Sequence, residues 1–156
     1  MSDIVYYKAG VTDAEILAQY RILFILEFLG TQPQSEVDNL HKEFKKYFEE
    51  TIAEGSCIAY IAKSGDQIAG HGVLVYRRQP GNFKNPSGKV GYIMNMYTIP
   101  SFRRKGICTT ILKALMDEAR ASGITAFELH ATQDGEPVYI KNDFYKHSEP
   151  TYRKYE

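Results

Sequence analysis

The sequence predicts an α+β protein, a mixed and mostly antiparallel sheet flanked by helices. Two observations carry this. Stretches rich in β-branched and aromatic residues alternate with stretches whose apolar residues recur at helical spacing. Their order reads β, α, α, β, β, β, α, β, α, β, so three strands run in succession while helices are interspersed elsewhere. The 156 residues read as one domain spanning 1–156, long enough to build a core.

Ile4 to Lys8 is a short first strand. Thr12-Asp13-Ala14-Glu15 has the form of a capping box. The helix it opens places Ile16, Tyr20, Leu23, Phe24 and Phe28 on one face and stops at Gly30. Ser35 is placed to cap a second helix with Val37, Leu40, Phe44, Tyr47 and Phe48 inward, ending near Gly55. Arg21 and Glu27 read as rim charges of the first helix.

Cys57 to Lys63 and Gln67 to Gln79 are strands joined by the turn Ser64-Gly65-Asp66. Gly70-His71-Gly72 lacks a third glycine and a following helix, so it is no dinucleotide fingerprint. Its glycines mark a bulge or a close packing contact, and His71 shares a face with Val73 and Val75. After the loop Pro80 to Gly88, Lys89 to Ile99 is a buried strand ended by Pro100. Ile107, Ile111, Leu112, Leu115, Met116 and Ala119 form a helical stripe closed by Ser122-Gly123. Ile124 to His130 is a further strand. Pro137 suits the first position of a short helix through Lys141, and Phe144 to Tyr155 suits a last strand or hairpin broken at Pro150.

The chemistry concentrates at Arg103-Arg104-Lys105-Gly106. A helix starting near Arg104 leaves its first backbone N–H groups without acceptors, and three cations stand beside them. Gly106 lets a ligand approach the backbone closely. Orphan donors, the helix dipole and local positive charge make an anion site suited to phosphate.

These residues resemble a known family. Arg103-Arg104-Lys105-Gly106-Ile107-Cys108 resembles the Arg/Gln-x-x-Gly-x-Gly/Ala signature of the GNAT acetyltransferase superfamily. Thr98-Ile99-Pro100-Ser101-Phe102 resembles the strand exit preceding it, and Tyr139-Ile140-Lys141-Asn142-Asp143-Phe144 resembles a second family motif, Tyr-Glu-Lys-x-Gly-Phe. Cys108 and Asp143 depart from the pattern, each standing where a small residue or glycine is usual.

The resemblance implies two splayed central strands with a cleft for acetyl-CoA. It implies that Met96, Tyr97 and Thr98 bind pantetheine through their backbone, with an N–H near Met96 or Tyr97 facing the thioester carbonyl. Arg103, Arg104, Lys105, Gly106, Ile107, Cys108 and Thr109 would hold the pyrophosphate. Thr132 stands where the family often has Asn and could still bond the cofactor. Tyr139 matches the tyrosine that protonates the departing thiolate; an ordinary phenol, with a pKa near ~10, is a proton donor at neutral pH. His130, with Glu128 on its side of the strand, is the candidate base, with a water chain as the alternative.

The resulting expectation is an acetyl-CoA-dependent N-acetyltransferase acting on a small-molecule or peptide amine. The competing expectation is a CoA-binding regulatory or interaction domain without turnover. Charge balances at 19 basic and 19 acidic residues, which argues against nucleic acid or an anionic membrane as a partner. A homodimer is compatible with these features. Cys57 and Cys108, the only 2 cysteines, match no metal spacing, so no metal is expected. The first residues lack the pattern of a signal peptide and no stretch has the length of a membrane span, so a cytoplasmic location is expected.

Overall fold

The computed structural model describes residues 3–156. Strands β1 (Ile4–Lys8), β2 (Cys57–Ser64), β3 (Gln67–Arg78), β4 (Lys89–Thr98) and β5 (Phe127–Leu129) form one sheet in chain order. The first four pair antiparallel, while β5 pairs parallel to β4. A parallel neighbour needs a crossover, and helix α3 (Ile107–Ala121) supplies it.

Each sheet face has its own core. On one face, Ile107, Ile111, Leu112, Leu115 and Ala119 of α3 pack with Ile58, Leu74 and Ile93. The expected stripe of α3 is thus observed, with Met116 at its margin. On the other face, helices α1 (Ala14–Leu29) and α2 (Gln34–Glu54) cover Ala59, Ile61 and Val73, with Leu17 and Phe48 buried between. Each fully buried Leu, Ile or Phe contributes about 1.5–3 kcal/mol of transfer free energy. The last helix, α4, covers Glu136–Lys141.

Several local expectations change. Asp13 stands at the N-cap position of α1 without a side-chain bond to its amides; its Oδ2 instead accepts the Gly10 N–H at 2.8 Å, closing the 3-10 turn Val11–Asp13, so the expected Thr12–Glu15 capping box is not formed. Helix α2 starts one residue before Ser35, after Pro33, whose carbonyl accepts the N–H groups of Glu36 and Val37. The buried face of α1 is Ala14, Leu17, Ala18 and Ile22, whereas Phe28 is 71% exposed. Nearly every side of α1 is apolar, so spacing alone could not choose the face.

Helix α3 begins at Ile107 rather than near Arg104, because Arg104 and Gly106 are both left-handed (φ +64° and +78°). The strand expected from Ile124 is paired only at Phe127–Leu129. Pro137 is the second residue of α4, after Gly135 and Glu136. Beyond Lys141 the chain has no strand. Pro150 interrupts that stretch and Phe144 turns inward against Tyr139, their ring centres 6.0 Å apart.

Candidate functional site

Two strands that should lie side by side part company in the middle of the sheet. The β4–β5 ladder holds only Gly91, Tyr92 and Ile93 against Phe127, Glu128 and Leu129. β4 continues to Thr98 with no strand on that side. Its outward backbone groups from Met94 onward therefore face an open groove and seek partners elsewhere.

A bulge sits at the same place. His71 pairs with Tyr97 and Val73 with Met94, so two steps along β3 match three along β4. Asn95 occupies the bulge in left-handed backbone (φ +57°), a conformation that asparagine tolerates better than most residues. The insertion turns Met94, Asn95 and Tyr97 toward α1 and α2, and Met96 toward α3.

The two glycines around His71 fit α3 to this part of the sheet. A Cβ on Gly70 would lie 2.8 Å from the Tyr97 carbonyl and 3.2 Å from Ile107. One on Gly72 would collide with Met96 and stand 2.7 Å from Ile111. They are close packing contacts, and the N-terminus of α3 is thereby seated at the exit of β4. Gly106 differs: nothing lies within 4 Å of a Cβ there, so the space beside the turn is open. Thr110 donates its N–H to the Gly106 carbonyl at 3.0 Å. The amides of Ile107, Cys108 and Thr109 precede that first helical bond.

The basic residues divide their work. Arg103 turns back rather than toward the open side of the turn: its Nε donates to the Thr98 carbonyl at 2.9 Å, and its Nη2 reaches Glu27. Of the three cations expected around one anion, Arg103 is engaged at Thr98 and Glu27, while Arg104 and Lys105 flank the turn itself. Lys105 Nζ also lies 5.2 Å from the Phe102 ring centre.

Tyr139 stands across from the turn, buried, and its pKa is pushed upward by burial with a smaller contribution from Cys108. The Cys108 thiol is likewise raised by burial, to about 11. Thr132 is drawn to the same place: a Cβ on Gly135 would meet Thr132 Oγ1 at 3.2 Å and Tyr139 at 3.3 Å. Its hydroxyl accepts the Gly135 N–H at 3.2 Å, shaping the entry to α4. His130 joins a different group. Its Nδ1 meets the Tyr92 hydroxyl at 2.7 Å and its Nε2 meets Thr151 Oγ1 at 3.2 Å.

Two contacts on the α1 side were not foreseen. Glu27 accepts the Tyr97 hydroxyl at 2.7 Å as well as Arg103. Burial tends to raise the Glu27 pKa, but the bonds from Tyr97 and Arg103 and the guanidinium charge outweigh it, and the net shift is downward. The Tyr97 phenol is raised to about 12 by burial and by Glu27. Arg21 donates to Asn95 Oδ1 at 3.3 Å, and Asn95 Nδ2 meets His71 Nδ1 at 3.2 Å. His71 is a fully buried packing residue on the face of Val73. Burial lowers its pKa to about 4; a backbone interaction at Tyr20 opposes this and the Arg21 charge adds to it. Arg21 is thus half-buried on the sheet face, whereas Glu27 remains an exposed rim charge, although one bonded to Tyr97 and Arg103.

A cavity of about 150 Å³ between α1 and α2, lined by Ile22, Leu26, Val37 and Leu40 among others, shares no residue with this groove. No group of three or more His, Cys, Asp or Glu among the described residues is placed to hold a metal ion. No described helix is long and apolar enough to cross a membrane.

The model of the GNAT acetyltransferase family matches residues 20–147. The chain belongs to that family. It is therefore an acetyltransferase, and its fold agrees with solved GNAT structures. A predicted acetyltransferase of Clostridium acetobutylicum, solved with acetyl-CoA, is 30% identical, with a TM-score of 0.88 over 97% of this chain and 96% of that one. A GCN5-related N-acetyltransferase of Ralstonia eutropha is 22% identical, with a TM-score of 0.85 over 97% and 99%. Glucosamine-6-phosphate N-acetyltransferase of Arabidopsis thaliana is 20% identical, with a TM-score of 0.72 over 99% and 100%; these last two show likeness of fold. No curated protein matches the sequence.

Proposed function

We propose that this acetyltransferase moves the acetyl group of acetyl-CoA directly to a primary amine. The observation that carries the reading is the unpaired edge of β4 beyond Ile93, running to the free amides that open α3. An extended pantetheine arm adds to such an edge as a strand would. The amides of Ile107, Cys108 and Thr109, with Arg104 and Lys105, suit the pyrophosphate, and the open side of Gly106 admits it. The same geometry keeps Met96, Tyr97 and Thr98 as the backbone partners of the arm.

In the transfer, the amine nitrogen bonds to the acetyl carbon, the carbon–sulfur bond breaks, and sulfur leaves with the electron pair. The thioester comes with acetyl-CoA. This chain supplies an N–H near Met96 or Tyr97 for the developing oxyanion. It also supplies Tyr139, whose raised pKa keeps the phenol protonated and able to give its proton to the thiolate. The amine must lose a proton as well. In either tautomer of His130, the nitrogen that would accept it already faces a hydroxyl, of Tyr92 or of Thr151. Glu27 is engaged by Tyr97 and Arg103. Solvent water in the groove is the acceptor this arrangement favours. Thr132, with its hydroxyl oxygen turned to Gly135, retains its O–H as a donor toward the cofactor.

Thermal denaturation with CoA, followed by thiol release from acetyl-CoA over a panel of amines, tests this. A stabilised protein that releases thiol only with amine supports direct transfer. No stabilisation by CoA overturns the cofactor site; binding without turnover over a broad panel favours a non-catalytic CoA-binding role.

A further inference from the structure

On the α1/α2 face, two arginines sit along β4 against neutral groups, Arg21 at the Asn95 bulge and Arg77 over Tyr92. Arg21 reaches from α1, half-buried, with its guanidinium 4.8 Å from the Phe44 ring centre and one N–H on Asn95. Arg77, on the same sheet face from β3, stacks 3.6 Å from the Tyr92 ring centre. Among the described residues neither makes an ion pair. Glu128, the acid beside Tyr92 in the β4–β5 register, is exposed and bonds to neither.

Two tyrosines interact with these charges. Burial lowers the Arg21 pKa and the phenols of Tyr47 and Tyr92 oppose it. Burial raises the Tyr47 pKa, Cys57 adds to this, and Arg21 and Arg77 both oppose it. A guanidinium carries five donors in a planar fork, which matches the oxygens of a carboxylate or a phosphate. A half-buried guanidinium is ordinarily paired with an acid; Arg21 instead donates to the neutral amide of Asn95, the residue at the β4 bulge.

We propose that Arg21 and Arg77 bind an anionic group, a carboxylate or a phosphate monoester, carried by the acceptor amine. This rests on the reading of the groove as an acetyl-CoA:amine transfer site. The anion would lie on the opposite sheet face from α3, so the amine reaches the thioester through the opening between β4 and β5.

The test uses matched amines: free amino acids against their methyl esters, and glucosamine 6-phosphate against glucosamine. Thiol release is measured with the wild-type protein and with Arg77→Gln and Arg21→Lys. Arg77 is exposed, so its variant keeps the fold if Arg21→Lys does not. The anionic member of at least one pair should have a kcat/KM about 10–100-fold higher, and the advantage should collapse in Arg77→Gln. The amino-acid arm scores a carboxylate and the sugar arm a phosphate. A preference for the neutral members, or an anionic preference unchanged in both variants, overturns the proposal. Should no amine react, succinate and inorganic phosphate are titrated into CoA-saturated protein. A thermal shift present in wild type and lost in Arg77→Gln supports the site; absence of any shift overturns it. CoA stabilisation is measured in parallel. Its loss in wild type sinks the transfer reading itself, whereas its presence without anion preference sinks only this inference.

Discussion

Glu27 of α1 and Arg103 of the turn before α3 stand 76 residues apart in the chain, yet one guanidinium nitrogen lies 2.7 and 2.9 Å from the two carboxylate oxygens. The pair ties helix α1 to the turn before α3. Both side chains are more than two-fifths exposed (43% and 42%), so solvent screening keeps its stabilisation small, below about 1 kcal/mol. The lowered Glu27 pKa sets the sign. A carboxylate depressed on folding stabilises above its ordinary value of 4.5 and loses that contribution as pH falls through the folded value. Glu27→Gln should therefore lower Tm slightly at neutral pH and match wild type in acid. A Tm difference that grows on acidification would contradict this.

His71 has the larger effect and a different window. Its folded pKa of about 4 lies below the ordinary 6.5, because a charged ring is expelled from the core. Stability is full above 6.5 and declines as pH falls toward 4. The difference amounts to roughly 3 kcal/mol at the acid end. His71→Phe keeps a ring beside Tyr20 and Tyr97 and cannot titrate. Denaturant midpoints of the two proteins between neutral and mildly acid pH should converge; parallel curves would count against a buried neutral histidine.

Gly106→Glu should abolish stabilisation by CoA. The side chain fills the space beside the turn with like charge, and the left-handed backbone (φ +78°) adds about 1 kcal/mol of strain. Gly106→Ala carries the strain without the charge and serves as the control. An unchanged thermal shift with CoA in the folded Glu variant would place the cofactor elsewhere.

Tyr139→Phe should lower kcat about 10²–10⁴-fold where thiolate departure limits the rate, leaving CoA affinity nearly unchanged. Phenylalanine retains the packing against Phe144. Because burial raises the phenol pKa, ionisation of Tyr139 should add no alkaline fall in wild-type rate below pH ~10. Wild-type turnover in the variant, with thiol departure shown to be limiting, would make Tyr139 a packing residue.

Much of this was legible in the sequence because it is local. The hairpin at Ser64-Gly65-Asp66, the stripe of α3 and the glycine-marked turn each declare themselves within a few residues. What was not legible depends on distant partners. Arg103 reads as one of three cations at the turn, and no local pattern announces its bonds to Thr98 and Glu27. The face of α1 was ambiguous because Ile16, Leu17, Leu23 and Phe24 are all apolar and only the sheet decides among them. The strand expected after Phe144 had suitable residues, but Phe144 itself packs on Tyr139 instead. Arg21 looked peripheral because Asn95, its partner, lies in a bulge that no alternation pattern announces.

Asn95 also sets the phase of everything after it. The alternation along a strand has a period of two, so one residue more or less exchanges the faces of all that follow. With Asn95 kept but held in regular alternation instead of in the bulge, Met96 would point at α1 and Tyr97 at α3. The Tyr97 hydroxyl would lose Glu27, and a phenol would be pressed against Gly70 and Ile107, where the glycine leaves no room for it. The bulge, more than the side chains around it, therefore holds the segment in phase: the extra residue is absorbed at Asn95, and only while it is absorbed there do Met96 and Tyr97 keep their opposite faces.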